Sequence, residues 1–155
     1  MADLEELYRE IILDHYRSPR NRGELAVPPA HRTEGFNPLC GDEIVVTIDV
    51  EDGVLNDIKI GGQGCSISQS SASLMSAAVK GLGVDDVRRK IDTFKTLMTV
   101  HEAQLEEGVE EPEPVDLKSL GELAALQGVV KFPVRIKCAT LAWNTLAQGL
   151  DEIDA

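Results

Sequence analysis

The sequence predicts an α+β fold, a small antiparallel sheet with helices packed on it. Three observations carry that expectation. The chain opens with apolar residues at helical spacing, Leu4, Leu7, Tyr8, Ile11 and Ile12. A strict alternation follows, with Ile44, Val46, Ile48 and Val50 facing one way and Thr47, Asp49 and Glu51 the other. Helical patterns then return and fill most of the second half. At 155 residues the length suits one domain spanning 1–155.

The first helix is expected over 3–16, with Asp3 and Glu6 as a capping pair. Pro19 and Gly23 break it, and residues 24–40, with Pro28, Pro29, Gly35 and Pro38, read as loop. A strand over 43–51 runs into Asp52-Gly53, a hairpin signal, and 54–60 is the return strand. Gly61, Gly62 and Gly64 close that strand just before Cys65. Residues 66–80 read as a helix with Ile67, Leu74, Met75 and Ala78 on its apolar side, stopped by Gly81 and Gly83. A further helix is expected from 85 to about 106 through Val87, Ile91, Phe94 and Met98. Residues 102–116 hold seven acids, two prolines and no Lys or Arg, and read as a solvated insertion. A short helix over 117–127 and a closing helix over 138–150 complete the chain, the last element beginning at Phe132-Pro133.

Composition narrows the function classes. Apolar residues make up 43% and aromatics 4%, so the core should be aliphatic. A formal net charge of −12 opposes nucleic-acid binding, because phosphate backbones attract basic surfaces. No stretch approaches the roughly 18 uninterrupted apolar residues of a membrane helix, and MADLEELYREII does not read as a secretory signal. Three cysteines cannot all pair within one chain. A reducing cytoplasm with unpaired or metal-bound thiols is the expected setting.

Chemistry concentrates at Cys40, Asp42, Cys65 and Cys138. Three thiols and a carboxylate are a full donor set for a tetrahedral metal. A tight hairpin sets the start of one strand beside the end of the next, so Cys40, Asp42 and Cys65 should share one end of the sheet. Cys65 is expected at a helix start, where unpaired N–H groups and the helix dipole favour an anion. Cys138 falls at or near another helix start, and spacing alone does not bring it to the others. Soft thiolates point to zinc, copper(I) or an iron–sulfur cluster, with zinc the expected ion. A carboxylate among the ligands is a harder donor, which points to a working site rather than a purely structural one. The alternative is that the cysteines are separate buried small hydrophobes.

The segments LYREIILDHYRSPRNRG, NPLCGDEI, GGQGCSISQSSASLM and FPVRIKCATLAW resemble the U-type iron–sulfur cluster assembly proteins. The likeness runs from Leu4 to about Leu150. It implies that Cys40, Asp42, Cys65 and Cys138 gather at one site that binds zinc or assembles a [2Fe–2S] cluster. It also implies that sulfur arrives as a persulfide from a pyridoxal-phosphate cysteine desulfurase. The classical scaffold branch has a histidine just before the last cysteine and two adjacent prolines upstream; here these are Lys137 and the single Pro133. With the long interval between Cys65 and Cys138, both departures are similar to the SufU-type branch. That branch implies a zinc-dependent sulfur acceptor, with Cys40 as the attacking thiol, Asp42 tuning ligand release, and Arg135 steadying the cysteine once it leaves zinc. Sulfur would pass on to a downstream iron–sulfur scaffold or apoproteins. The alternatives are a scaffold that binds iron and builds the cluster, and a zinc-stabilised adaptor without chemistry.

Other residues are read plainly. His15, His31 and His101 are expected to be surface or packing residues. His15, Arg17, Arg20 and Arg22 form the one basic cluster, either a solvated loop or a partner-docking edge. Trp143, Leu141, Met75 and Met98 are expected in the core.

Overall fold

The computed structural model describes residues 4–38, 41–105, 125–126 and 133–154. In order they form α1 (Leu4–Arg17), β1 (His31–Asn37), β2 (Asp42–Glu51), β3 (Val54–Gln63), α2 (Ser66–Val79), α3 (Val84–Leu105) and α4 (Pro133–Asp154). The sheet is antiparallel in the order β1-β2-β3. Helix α4 packs on β1 and β2, α2 packs on β3 and α4, α1 lies on α2, and α3 joins α4. This is the α+β architecture that the sequence predicts.

The hairpin forms where the Asp-Gly signal stands. Glu51 pairs with Val54, and the two residues between them, Asp52 (φ 53°) and Gly53 (φ 76°), both take positive φ. That is the turn geometry whose twist matches paired strands. Ile44, Val46, Ile48, Leu55, Ile58 and Ile60 point inward and are buried. Thr47, expected on the solvent side, is buried too. Its hydroxyl accepts the Leu25 N–H at 3.0 Å, because the segment after α1 folds over the sheet's outer face. Strand β3 runs three residues beyond its expected end, through Gly61, Gly62 and Gln63.

Two expectations are corrected. Part of the 24–40 loop is a strand, β1, paired in register with β2 from His31↔Ile48 to Asn37↔Asp42. Its inward positions are Thr33, Gly35 and Asn37 rather than aliphatic residues, so no apolar alternation marks it. Gly35 is there for space: a Cβ would lie 1.9 Å from Thr145 Oγ1 on α4. The closing helix starts at Pro133, not at Cys138. Proline suits a first helical position, where its missing N–H has no intrahelical partner to lose. Cys138 therefore sits in the second turn.

Helix α2 is buried nearly all round. Its serines make this tolerable, since each buried hydroxyl finds a partner. Ser70 Oγ donates to Ile12 O of α1 at 2.8 Å. Ser71 Oγ donates to Ala139 O at 2.5 Å and accepts from Trp143 Nε1 at 3.0 Å. Gly81 (φ 86°) turns the chain after the helix. Val87, Ile91, Phe94 and Met98 of α3 are all buried, as are Met75 and Trp143; Leu141 is partly buried against the core. Phe94 and Trp143 stack with centroids 4.3 Å apart. Leu7 stays exposed while Ile11 and Ile12 are partly buried against the core, so only part of the α1 stripe is covered.

The acidic insertion falls largely outside the described residues: 102–105 close α3, and 106–116 are not among them. The 117–127 helix and Asp3 of the capping pair likewise lie outside, apart from Ala125 and Leu126, which are buried. No described helix is long and apolar enough to cross a membrane.

Candidate metal centre

Three elements meet at one end of the sheet. The hairpin register pairs Glu43 with Gln63 and Ile44 with Gly62, so the start of β2 lies beside the end of β3. Asp42 opens β2, Cys65 is the N-cap residue of α2, and Cys138 reaches in from α4. Ligand atoms of Asp42, Cys65 and Cys138 all lie within 4.8 Å of one another. The hairpin thus joins Asp42 to Cys65 as expected, and the packing of α4 on the sheet adds Cys138. Cys40 lies outside the described residues, as do the side chain of His101 and its surroundings. Arg135 is exposed on α4, three residues before Cys138.

Asp42 is fully buried, an environment that a carboxylate tolerates only with partners. Its Oδ1 accepts the Cys65 N–H at 2.8 Å, and its Oδ2 lies 3.8 Å from Cys65 Sγ. The Cys65 side chain makes no capping bond, so the carboxylate from β2 takes up an amide at the start of α2, the positive end of the helix. Ser68 Oγ donates back to Cys65 O at 3.1 Å and tightens the first turn.

The glycines before Cys65 have steric reasons that the sequence did not disclose. A Cβ on Gly64 would lie 2.4 Å from Asp42 Oδ1 and 2.8 Å from Ser68 Oγ. The missing side chain is the space the carboxylate occupies. Gly62 combines φ +105° with a would-be Cβ 2.1 Å from the carbonyl oxygen of Glu43. Both glycines serve the approach of Asp42's strand.

Residues 7–139 match the family described as the NifU-like N-terminal domain. The chain belongs to this family. Among its relatives, the zinc-dependent sulfurtransferase SufU of Bacillus subtilis is 41% identical over 149 residues, covering 96% of this chain and 92% of that protein. The iron–sulfur cluster assembly scaffold protein IscU of Streptococcus pyogenes is 36% identical, covering 97% and 86%. The fold is also that of an iron–sulfur cluster assembly scaffold protein for the SUF system from Fervidobacterium islandicum. That structure superposes with a TM-score of 0.78 at 27% identity, over 96% of this chain and 99% of the other. The resemblance to the U-type proteins and to their SufU-type branch is thereby borne out.

The basic cluster of this NifU-like domain is taken apart by the fold. His15 is buried, with Nδ1 2.7 Å from Ser73 Oγ, so it packs α1 on α2 and is no part of an exposed edge. Arg20 pairs with Asp14 at 2.5 Å. Arg22 donates from one nitrogen to Gly62 O at 2.7 Å and from another to Gln69 Oε1 at 3.0 Å. It clamps the glycine turn to the first turn of α2, with Cys65 between them. His31 contacts Glu152 at 2.9 Å. One neighbour of the centre escaped the sequence reading altogether: Asn37, whose Nδ2 is 4.0 Å from Cys138 Sγ. The N-P-L-C spacing before Asp42 was its only signal.

Proposed function

We propose that this chain is a zinc-dependent sulfur acceptor of iron–sulfur cluster biogenesis, taking persulfide sulfur from a pyridoxal-phosphate cysteine desulfurase on Cys40. The observation that carries the reading is the convergence of Asp42, Cys65 and Cys138 within 4.8 Å. A tetrahedral ion with Zn–S near 2.3 Å and Zn–O near 2.1 Å keeps its donor atoms about 3.5–3.8 Å apart. The 3.8 Å between Cys65 Sγ and Asp42 Oδ2 already meets that spacing. Two soft thiols and one carboxylate fit zinc, and Cys40, two residues before Asp42, would complete the set of four.

Zinc, when bound, would supply the positive charge that keeps its thiol ligands deprotonated. The residues do the rest. Asp42, anchored by the Cys65 amide, offers a hard oxygen beside the softer sulfurs. Cys40, as thiolate, would attack the outer sulfur of the desulfurase persulfide. The sulfur–sulfur bond there breaks, its electron pair leaves on the desulfurase cysteine, and Cys40 becomes the persulfide. Arg135, exposed near Cys138, would steady Cys40 during that excursion. The cargo would go to a downstream scaffold or to apoproteins in the cytoplasm. The name of the B. subtilis relative supports this reading.

The IscU relative favours a second reading, a scaffold that binds iron and builds a [2Fe–2S] cluster. One pair of measurements separates them. Protein as isolated should hold about one zinc per chain and should raise cysteine turnover by a desulfurase, and Cys40→Ala should abolish the stimulation. Unchanged turnover with the intact protein would sink the acceptor reading. A visible, transferable cluster formed without loss of zinc would support the scaffold.

A further inference from the structure

We propose that Asn37 is a positioning residue for Cys138, its side-chain amide donating to the Cys138 sulfur and holding it toward Asp42 and Cys65. The inference deepens the reading of these side chains as metal ligands and rests on it.

The three donors differ in their electrostatic support. Cys65 is an N-cap residue, at the end of a helix where N–H groups lack intrahelical partners. Asp42 holds the Cys65 amide at 2.8 Å. Cys138 is not at a helix start: α4 begins at Pro133, so Cys138 lies beyond the first turn, where N–H groups are used within the helix. Its sulfur is also fully buried. A thiolate there needs a donor from another element, since burying a charge without one is costly.

Asn37 is that donor. It is the last residue of β1 and the register partner of Asp42, so the backbone ladder that sets the carboxylate also sets the amide. Only 7% of the residue is exposed. Asparagine is a poor strand former, so strand propensity does not account for it. Nδ2 stands 4.0 Å from Cys138 Sγ. Partners of this kind fix a metal ligand's orientation, and losing one weakens metal affinity about 10- to 100-fold.

Two substitutions test the proposal. Asn37→Ala removes the side chain. Asn37→Leu keeps the side chain's bulk while removing the donor and adding no charge, so a merely space-filling role would survive it. Each protein is loaded with cobalt(II), and thiolate-to-cobalt charge-transfer absorption is recorded beside zinc affinity by chelator competition. Both variants should move that absorption to lower energy, because sulfur keeps the electron density the amide drew off. Both should also bind zinc about 10- to 100-fold more weakly. Wild-type absorption and affinity in folded variants would overturn the role. Should neither variant fold, wild-type protein loaded with an NMR-active cadmium isotope decides the matter: coupling between the Asn37 amide proton and the metal is expected, and its absence refutes the bond. Wild-type protein without any thiolate-to-cobalt absorption would instead overturn the ligand reading itself, and this inference with it.

Discussion

Gly64→Ala should displace the Asp42 carboxylate and damage the centre without substituting any of its donor residues. The added Cβ would stand 2.4 Å from Asp42 Oδ1, 3.0 Å from Asp42 Cγ and 2.8 Å from Ser68 Oγ. Ordinary contact begins near 3.5 Å, so the carboxylate must retreat by about 1 Å. The same Oδ1 accepts the Cys65 N–H at 2.8 Å, and a retreat of that size takes the bond beyond useful length. Losing a hydrogen bond to a charged group costs about 1.5–3 kcal/mol. Overpacking a filled site costs about 1–3 kcal/mol. The two overlap, because moving the carboxylate relieves the clash, so about 3 kcal/mol is the expected sum. For a chain of this size that is a fall in melting temperature of about 6–12 °C. Thermal melts of the metal-free protein read the stability, and chelator competition reads zinc affinity, which should fall as the oxygen leaves its place beside Cys65 Sγ. A variant with wild-type melting temperature and wild-type affinity would refute the steric account of Gly64.

Two more outcomes follow from buried and paired groups. Ser71→Ala leaves the Trp143 indole N–H, now bonded to Ser71 Oγ at 3.0 Å, buried without an acceptor. It should cost about 1–3 kcal/mol, read as a lower urea midpoint by fluorescence of the single tryptophan; an unchanged midpoint contradicts it. Hydrogen bonds from His31 and Thr33 hold Glu152 below its ordinary value of 4.5, so the folded state favours the carboxylate. Its contribution is present above that value and is lost as pH falls through the lowered one. Glu152→Gln should therefore be less stable than wild type at neutral pH, with the gap closing in acid. Urea midpoints at both pH values measure it, and a gap of equal size at each would exclude the linkage.

Local pattern carried the elements whose residues answer to their own neighbours in sequence. The Asp52-Gly53 turn, the alternation of β2 and the stripe of Val87, Ile91, Phe94 and Met98 were all legible. Because the turn was legible, so was the meeting of Asp42 with Cys65: a two-residue hairpin leaves the chain no other return. Strand β1 was not. Thr33, Gly35 and Asn37 are shaped to fit α4 and the centre, residues about a hundred positions away, and nothing beside them in the chain announces it. The helical state of residues 133–137 was missed for a related reason, since a proline before an apolar run serves equally as a break or as a first helical residue.

By itself the sequence determined the donor types, their order along the chain and the α+β class, because composition and short-range periodicity act over a few residues. Only the tertiary structure decided that Cys138 joins Asp42 and Cys65, that Gly64 is the space a carboxylate fills, and that Asn37 stands beside a sulfur. The Gly64 fit depends on how the first turn of α2 meets the start of β2, and the two contacts of Cys138 depend on where α4 settles against the sheet. That placement is set by the burial of Trp143, Leu146 and Leu150 and by the close approach that Gly35 permits, and such long-range packing leaves no periodic trace in the chain.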